Sequence, residues 1–290
     1  KIGAVLVTVN TAYKIYEAEY LLRQSDTNTL VMIDGYKDSD YVSIIKELCP
    51  ELETAEPGKP LHLKRLPFLR HIITVDSEQP GCLTWDETIA LAEKVPKEEV
   101  CRRALAIDRH DVCNMQYTSG TTGFPKGVML THHNIANNGY LTGIHMRFTP
   151  DDKCCICVPL FHCFGVVLAT MCCLTHGSTQ VMVERFDPLV TLASIHRERC
   201  TVLHGVPTMF ISLLHHPMFA MFDMRSLRTG IMAGALCPEE LMRQVNEQMF
   251  MDLTSVYGMT ETSPGMTQSR VDDPFEVRLT TVGSDYEFTE

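Results

Sequence analysis

Positive charge is in short supply in this 290-residue chain, where 25 Lys and Arg stand against 36 Asp and Glu for a formal net charge of −11. No basic cluster offsets that balance. The densest stretch, Lys64-Arg65 with Arg70, is interrupted by Leu66, Pro67, Phe68 and Leu69. Nucleic-acid backbones are held by basic patches, so the composition argues against such a partner. Long apolar runs are missing too. Residues 156–174 come nearest, but Pro159, His162 and Gly165 interrupt them, and a membrane span needs about 20 continuous apolar residues. Cysteine is plentiful, at 12, yet metal-ligand spacing is lacking. Cys154, Cys155, Cys157 and Cys163 lie in and just after one apolar run, with Cys172 and Cys173 in another. Neighbouring cysteines on a strand point in different directions and converge poorly on one ion. They read as small core residues in a reducing compartment.

With 45% hydrophobic residues, the chain can bury a sizeable core. Strand-like and helix-period segments alternate along it. Strands are expected over 3–9, 30–33, 72–75, 112–117, 127–130, 155–159, 179–183, 202–205, 229–232 and 253–257. Helices are expected near 16–24, 41–48, 85–93, 165–175, 187–197, 208–214 and 239–248. Residues 51–69, with Pro57, Gly58, Pro60 and Pro67, read as a surface excursion. Asp187-Pro188 has the form of a helix cap with proline at the first helical position, and Gly177 that of a helix stop. This βαβα order implies α/β architecture: mainly parallel sheets with helices on both faces and ligands at the carboxyl ends of strands. The expected organisation is a first α/β subdomain over 1–111 and a second region over 112–290.

The most informative segment is Tyr117-Thr118-Ser119-Gly120-Thr121-Thr122-Gly123-Phe124-Pro125-Lys126-Gly127. Glycines let backbone N–H groups approach phosphate oxygens, hydroxyls add donors, and the lysine adds positive charge. A Walker A loop is excluded, because Pro125 precedes Lys126 and Gly127 follows it. A flexible linker is disfavoured by the apolar strand-like runs on either side. The segment resembles the phosphate loop of the AMP-forming acyl-CoA synthetase and adenylate-forming superfamily. Tyr257-Gly258-Met259-Thr260-Glu261 resembles that family's Y-G-x-T-E motif, in the right order and at the right separation. The resemblance implies that Tyr257 lies against adenine, Gly258 turns the backbone, Thr260 offers its hydroxyl to the α-phosphate and Glu261 binds magnesium.

Weaker matches fall between these two. Pro159-Leu160-Phe161-His162-Cys163-Phe164-Gly165 resembles the P-L-[FY]-H-x-x-G segment that borders the carboxylate and acyl pocket in fatty acyl-CoA synthetases, although a lone histidine in an apolar run is more often a core residue. Gly205-Val206-Pro207-Thr208-Met209-Phe210 resembles the G-V-P-T segment of the acyl tunnel, and equally an ordinary strand-to-helix junction. Ala233-Gly234-Ala235-Leu236-Cys237-Pro238 resembles the small-residue loop beside adenine and acyl carboxylate, and would also suit a plain tight turn. Residues 3–13 resemble the family's G-A…N-P-x-Y stretch with Thr11 in place of proline, and Thr281-Val282-Gly283 its T-V-G.

Taken together, the resemblance implies the core of the large N-terminal domain of an adenylate-forming enzyme, with αβαβα layers and no C-terminal lid domain. The implied activity is an AMP-forming acid–thiol ligation, most like that of medium- to long-chain fatty acid–CoA ligases. ATP and coenzyme A are the implied co-substrates, with magnesium as cofactor, and the implied acyl pocket comprises His162, Val206, Pro207, Met209 and Met232. Chemistry of this kind works by positioning and charge neutralisation, so the lack of a Ser-His-Asp pattern is no objection. No T-G-D follows Gly283, and the chain reads as a piece cut from something longer, expected to be badly impaired as a catalyst by itself. A cytoplasmic or mitochondrial-matrix location is expected, and a homodimer is compatible with the sequence. An amino acid substrate is disfavoured because His162 stands where amino-acid-activating domains carry an aspartate for the ammonium group. An aryl acid substrate and a non-catalytic nucleotide- or acyl-binding module remain the alternatives.

Overall fold

The computed structural model describes residues 2–118 and 123–287. The chain forms two compact units, Lys1–Met129 and Leu130–Glu290. The strand that feeds the phosphate loop falls within the first unit.

In the first unit the strands are β1 (Leu6–Val7), β2 (Thr29–Met32), β3 (Gly35–Tyr36), β4 (Ser39–Asp40), β5 (His71–Thr74), β6 (Leu83–Thr84), β7 (Val112–Thr118) and β8 (Lys126–Thr131), the last running across the boundary. The helices are α1 (Ile15–Gln24), α2 (Tyr41–Leu48), α3 (Trp85–Ala90) and α4 (Lys97–Leu105). Three small sheets result, in the orders β1-β7-β8, β2-β5-β6 and β3-β4. β1 is much shorter than the strand expected over 3–9.

Residues 51–69 correct the sequence reading. Residues 53–60 do run largely exposed, but the segment is not a surface excursion throughout: Leu52, Leu61, Leu63, Leu66 and Leu69 are all buried with α1, α2 and β5 in one core. Burial of a leucine stabilises by roughly 1.5–3 kcal/mol, which pins this proline-containing segment down despite its irregular backbone.

The second unit is built on one seven-stranded sheet. Its strands are β9 (Lys153–Ile156), β10 (Thr179–Met182), β11 (Val202–Leu203), β12 (Thr229–Met232), β13 (Asp252–Gly258), β14 (Gly265–Gln268) and β15 (Ser284–Asp285), in the order β10-β9-β11-β12-β13-β14-β15. β10 to β13 run parallel, and β14 and β15 continue antiparallel. The helices are α5 (His132–His145), a π-helix (Phe164–Met171) leading into α6 (Cys172–His176), α7 (Pro188–Glu198), α8 (Pro207–Leu214), α9 (Glu239–Met249) and α10 (Phe275–Thr280).

The period-2 alternation of strands divides this sheet into two buried faces. Cys154, Ile156, Val158, Val202, Ile231 and Ala233 face a core with Phe164, Leu168, Cys172 and Cys173. Cys155, Cys157, Leu203, Met232 and Leu253 face a core with Leu192 and Ile195 of α7, Phe210 of α8 and Val245 of α9. Helices cover both faces, as the βαβα order requires. The adjacent cysteines of β9 thus belong to opposite layers, and all twelve cysteines are free thiols. As the sequence suggests, the Asp187 carboxylate accepts from the Val190 N–H at 3.0 Å to cap α7, and Gly177 ends α6 with φ 69°. Among the described residues, no helix is long and apolar enough to cross a membrane.

Helix α5 and strands β14 and β15 are not legible in the sequence. α5 contains three asparagines and two glycines, all poor helix formers. Tertiary packing overrides that: a Cβ on Gly139 would sit 2.8 Å from Met171, and one on Gly143 2.3 Å from the His176 ring. Glycine here permits a close helix–helix approach.

Candidate functional site

The sequence-predicted residues fall at strand ends in both units. In the first unit, β7 delivers Thr118 to the phosphate loop, and β8 opens with Lys126. Ser119, Gly120, Thr121 and Thr122 lie outside the described residues. Gly123 has φ 125°, a conformation that side chains disfavour. Gly127 is needed next to Lys126, since a Cβ there would come within 3.0 Å of Met115 Sδ and 3.1 Å of the Tyr117 ring. Lys126 is exposed, and its ammonium makes no ion pair among the described residues.

Both limbs of the loop are anchored by one face of α1. Residues four apart on a helix are neighbours, and here they are Tyr20 and Gln24. The Tyr117 hydroxyl donates to Gln24 Oε1 on the entry limb. On the exit limb the Tyr20 hydroxyl donates to the Pro125 carbonyl at 3.0 Å, and its ring stacks on Phe124 with centroids 5.0 Å apart. This support was not visible in the sequence, because Tyr20 and Gln24 lie about a hundred residues before the loop.

In the second unit, β13 ends in Tyr257 and Gly258, followed by a tight turn that returns as β14. Tyr257 and Met259 are about half exposed. Gly258 admits no side chain, since a Cβ would lie 1.9 Å from the Pro264 carbonyl oxygen. The turn is closed from within. The Met259 N–H donates to the Pro264 carbonyl at 3.1 Å, and the Thr262 hydroxyl donates to the same carbonyl at 2.6 Å. Thr260 and Glu261 occupy its crest. Glu261 is exposed, and its carboxylate is in no ion pair among the described residues.

The structure brings the His162 segment to this turn. Cys163 Sγ lies 3.5 Å from Thr260 Oγ1 and 4.0 Å from His162 Nδ1. His162 Nδ1 accepts from the Phe164 N–H at 3.1 Å, so the neutral ring carries its proton on Nε2. The ring edge reaches solvent, but surrounding protein desolvates it and lowers its pKa below the ordinary histidine value. Burial raises the Cys163 thiol, leaving it protonated at neutral pH.

Two more strand ends complete this half. After β11, Val206 and Met209 are half-buried and Pro207 is buried at the start of α8. Met232, at the end of β12, lies entirely within the core. Gly234 has φ 82°, and a Cβ there would come within 3.1 Å of Val206 Cγ1. That brings the small-residue loop, Gly234 and Ala235, against the Val206 segment. The Cys237 thiol donates back to the Met232 carbonyl at 3.0 Å and fixes the loop's return. Leu236, at its tip, is 92% exposed.

His204, one residue before the Gly205–Val206 pair, was missed. It is fully buried between the rings of Phe148 and Phe164. Its Nδ1 accepts from the Ile231 N–H at 3.0 Å, and burial pushes its pKa down to about 4.

Known proteins share this arrangement over the whole chain. The family model described as AMP-binding enzyme matches residues 1–287. YngI of Bacillus subtilis (strain 168), whose name assigns it provisionally to the acyl-CoA synthetases, is 49% identical over 292 residues, spanning 100% of this chain and 53% of YngI. The mitochondrial medium-chain acyl-CoA ligase ACSF2 of Danio rerio is 38% identical, over 98% of this chain and 47% of its own. The acyl-CoA ligase SID4 of Ajellomyces capsulatus is 40% identical, with the same coverage of 98% and 47%. This chain therefore spans about half the length of these relatives. Among solved structures, the anthranilate CoA ligase AuaEII in complex with anthranoyl-AMP superposes with a TM-score of 0.80 at 24% identity, covering 98% of this chain and 50% of AuaEII. The N-terminal domain of FACL13 from Mycobacterium tuberculosis superposes with a TM-score of 0.77 at 21% identity, covering 99% and 64%.

Proposed function

Since the chain belongs to the AMP-binding enzyme family, we propose that the protein carrying it is an AMP-forming fatty acid–CoA ligase. In the first half-reaction a carboxylate oxygen attacks the α-phosphorus of ATP, and the bond to pyrophosphate breaks to leave an acyl-adenylate. In the second, the thiol of coenzyme A attacks the acyl carbonyl, and AMP departs. The first half brings two anions together, so the protein's task is to neutralise and align them, and in the second it is to align thiol and carbonyl while the thiol proton passes to water.

The proposed roles follow the residues. Thr118, Ser119, Gly120, Thr121, Thr122 and Gly123 supply loop donors to phosphate oxygens, and Lys126 supplies charge. Tyr257, Gly258 and Met259 border the adenosine, with Gly234 and Ala235 on the small-residue loop. Thr260 donates to the α-phosphate. Glu261 is a solvent-facing carboxylate with no protein partner among the described residues, which fits a hard, partly hydrated cation such as magnesium. When bound, that cation offsets the charge of the triphosphate. His162, Val206, Pro207 and Met209 border the acid, whereas Met232, expected there from the sequence, lies fully buried in the opposite core and backs the segment from behind.

One observation carries this reading. Cys163 ties the His162 segment to Thr260 at 3.5 Å, so the side proposed to hold the acid adjoins the side proposed to hold the α-phosphate. An acyl-adenylating centre needs that adjacency. His162 also supports an uncharged acyl group over an amino acid: a neutral ring with Nδ1 already engaged offers no anion to a substrate ammonium. Relatives named medium-chain acyl-CoA ligases, 37–39% identical in several vertebrates, support a medium-chain fatty acid in particular.

Acid-dependent ATP–pyrophosphate exchange by the full-length gene product, run with butyrate, decanoate, palmitate, benzoate and mixed amino acids, tests the proposal. Exchange driven best by decanoate is the expected result. Exchange with benzoate or amino acids alone would overturn the substrate, and none with any acid would overturn the activity.

A further inference from the structure

Helix α5 carries three buried polar side chains, Asn138, Thr142 and His145, at 7%, 0% and 2% exposure. Their i, i+4, i+7 spacing puts them on one face. Buried polar groups are costly unless each finds a partner, and all three have one in the segment that follows the Thr260–Glu261 turn, while the Thr142 hydroxyl also donates to the Asn138 carbonyl at 2.7 Å. Asn138 Nδ2 donates to the Gly265 carbonyl at 2.8 Å, and the Gly265 N–H donates back to Asn138 Oδ1 at 3.0 Å. Thr142 Oγ1 lies 2.9 Å from the Tyr286 hydroxyl, which donates to Gln268 Oε1 at 2.7 Å. His145 Nδ1 lies 3.2 Å from the Gln268 carbonyl.

We propose that Asn138 is a positioning residue for Thr260 and Glu261. Gly265 pairs with Gly258 across β13 and β14, and these two glycines are the feet of the turn that carries both residues. The turn's own hydrogen bonds close it but do not say where it stands on the sheet. Asn138 does, by completing both backbone hydrogen bonds of Gly265 from a helix outside the sheet. The site leaves no slack on the other side, since a Cβ on Gly265 would lie 2.6 Å from the Tyr286 ring. The foot is therefore gripped between a helix side chain and a buried aromatic. The proposal rests on the reading of Thr260 and Glu261 as contacts of ATP and its metal; a misplacement of about 1 Å in such groups costs on the order of 100-fold in rate.

Asn138→Ala removes the grip. Thr142→Val, one turn further on, is the control: it loses the hydroxyl's bonds to the Asn138 carbonyl and the Tyr286 hydroxyl but leaves both Asn138–Gly265 hydrogen bonds and the Tyr286 ring in place. Thermal unfolding, amide hydrogen exchange over residues 258–265, and kcat and KM for ATP in pyrophosphate exchange are compared in the full-length gene product. Both variants should melt earlier. Only Asn138→Ala should speed exchange over 258–265, by about tenfold relative to β9–β12, and lower kcat by about 100-fold with little change in KM for ATP. Asn138→Asp keeps the acceptor for the Gly265 N–H and should recover part of both losses; it also carries the comparison if the alanine variant does not fold. Unchanged protection and kcat in Asn138→Ala, or equal loosening of the turn by Thr142→Val, would overturn the proposal. If the unaltered protein exchanges pyrophosphate with no acid, the functional reading fails, while hydrogen exchange still decides whether Asn138 holds the turn.

Discussion

The two ends of the parallel strands in the second unit use charge in opposite ways. At the amino ends the buried charges Asp152 and Arg278 are both engaged. Asp152, just before β9, accepts from Arg228 Nε at 2.8 Å and Nη2 at 2.6 Å, from the Thr201 hydroxyl at 2.6 Å and from the Thr149 N–H at 2.8 Å. Arg228 and Thr201 precede β12 and β11, so one carboxylate ties the starts of three strands. Arg278 does the same for β13, reaching Asp252 at 2.8 Å and the Leu253 carbonyl at 3.1 Å. At the carboxyl ends, Glu261 is exposed and unpaired among the described residues, His162 is neutral, and Tyr257 and Leu236 face solvent. The amino ends are built for stability. The carboxyl ends are where the proposed ligand contacts lie, as the general rule for an open α/β sheet would have it.

The sharpest way to break this contrast is to remove an unengaged charge and find that the fold suffers. Lys126→Ala, at the start of β8 where the phosphate loop ends, should lower acid-dependent pyrophosphate exchange by roughly 1,000-fold, about 4 kcal/mol of transition-state stabilisation. Urea unfolding should shift by no more than about 0.5 kcal/mol. Acidification should cost the second unit its next largest share. His204 is held far below its unfolded pKa, at about 4, so its contribution is complete above pH 6.5 and drains away as pH falls toward 4, by roughly 3 kcal/mol. His204→Gln should flatten the urea stability curve across that window.

Asp152→Ala is the complementary change at the other end. It should cost about 3 kcal/mol in urea unfolding, the low end for a broken buried pair because Arg228 partly reaches solvent, with Mg2+-dependent ATP affinity intact. Burial pushes the Asp152 carboxyl up, but its bonds to Arg228, Thr201 and Thr149 outweigh this and hold its pKa below the ordinary value. Its stabilisation is thus present above about pH 4 and lost as pH falls through the lowered value. Asp152→Ala should flatten only that more acidic limb, separating the two ends by titration. The smallest effect belongs to the exposed pair Arg225–Asp223. Arg225→Ala should move urea stability by less than about 0.5 kcal/mol.

Strand ends and helix caps were legible because their signals are local: Asp187-Pro188, Gly177, and the glycines and hydroxyls around Lys126 and Glu261. What escaped were supports set by distant residues. Helix α5 breaks the rules of propensity because Gly139 and Gly143 serve a neighbouring helix rather than their own. Its polar stripe, Asn138, Thr142 and His145, could have been counted at helical spacing, but its partners lie more than a hundred residues on. Residues 53–60 run at the surface as their prolines and glycine suggest, but those at 61–69 misled, although the spacing of Leu61, Leu63, Leu66 and Leu69 already hinted at an anchored segment. The candidate site was therefore proposed from local motifs, while its scaffolding became visible only in the fold.

The most direct test of the account compares the full-length gene product with its Glu261→Gln variant in decanoate-dependent ATP–pyrophosphate exchange, beside urea unfolding of both. The account predicts exchange in the unaltered protein, a loss on the order of 100-fold or more in the variant, and superimposable unfolding curves. Exchange indifferent to Glu261, or a variant that loses stability in step with activity, would contradict it.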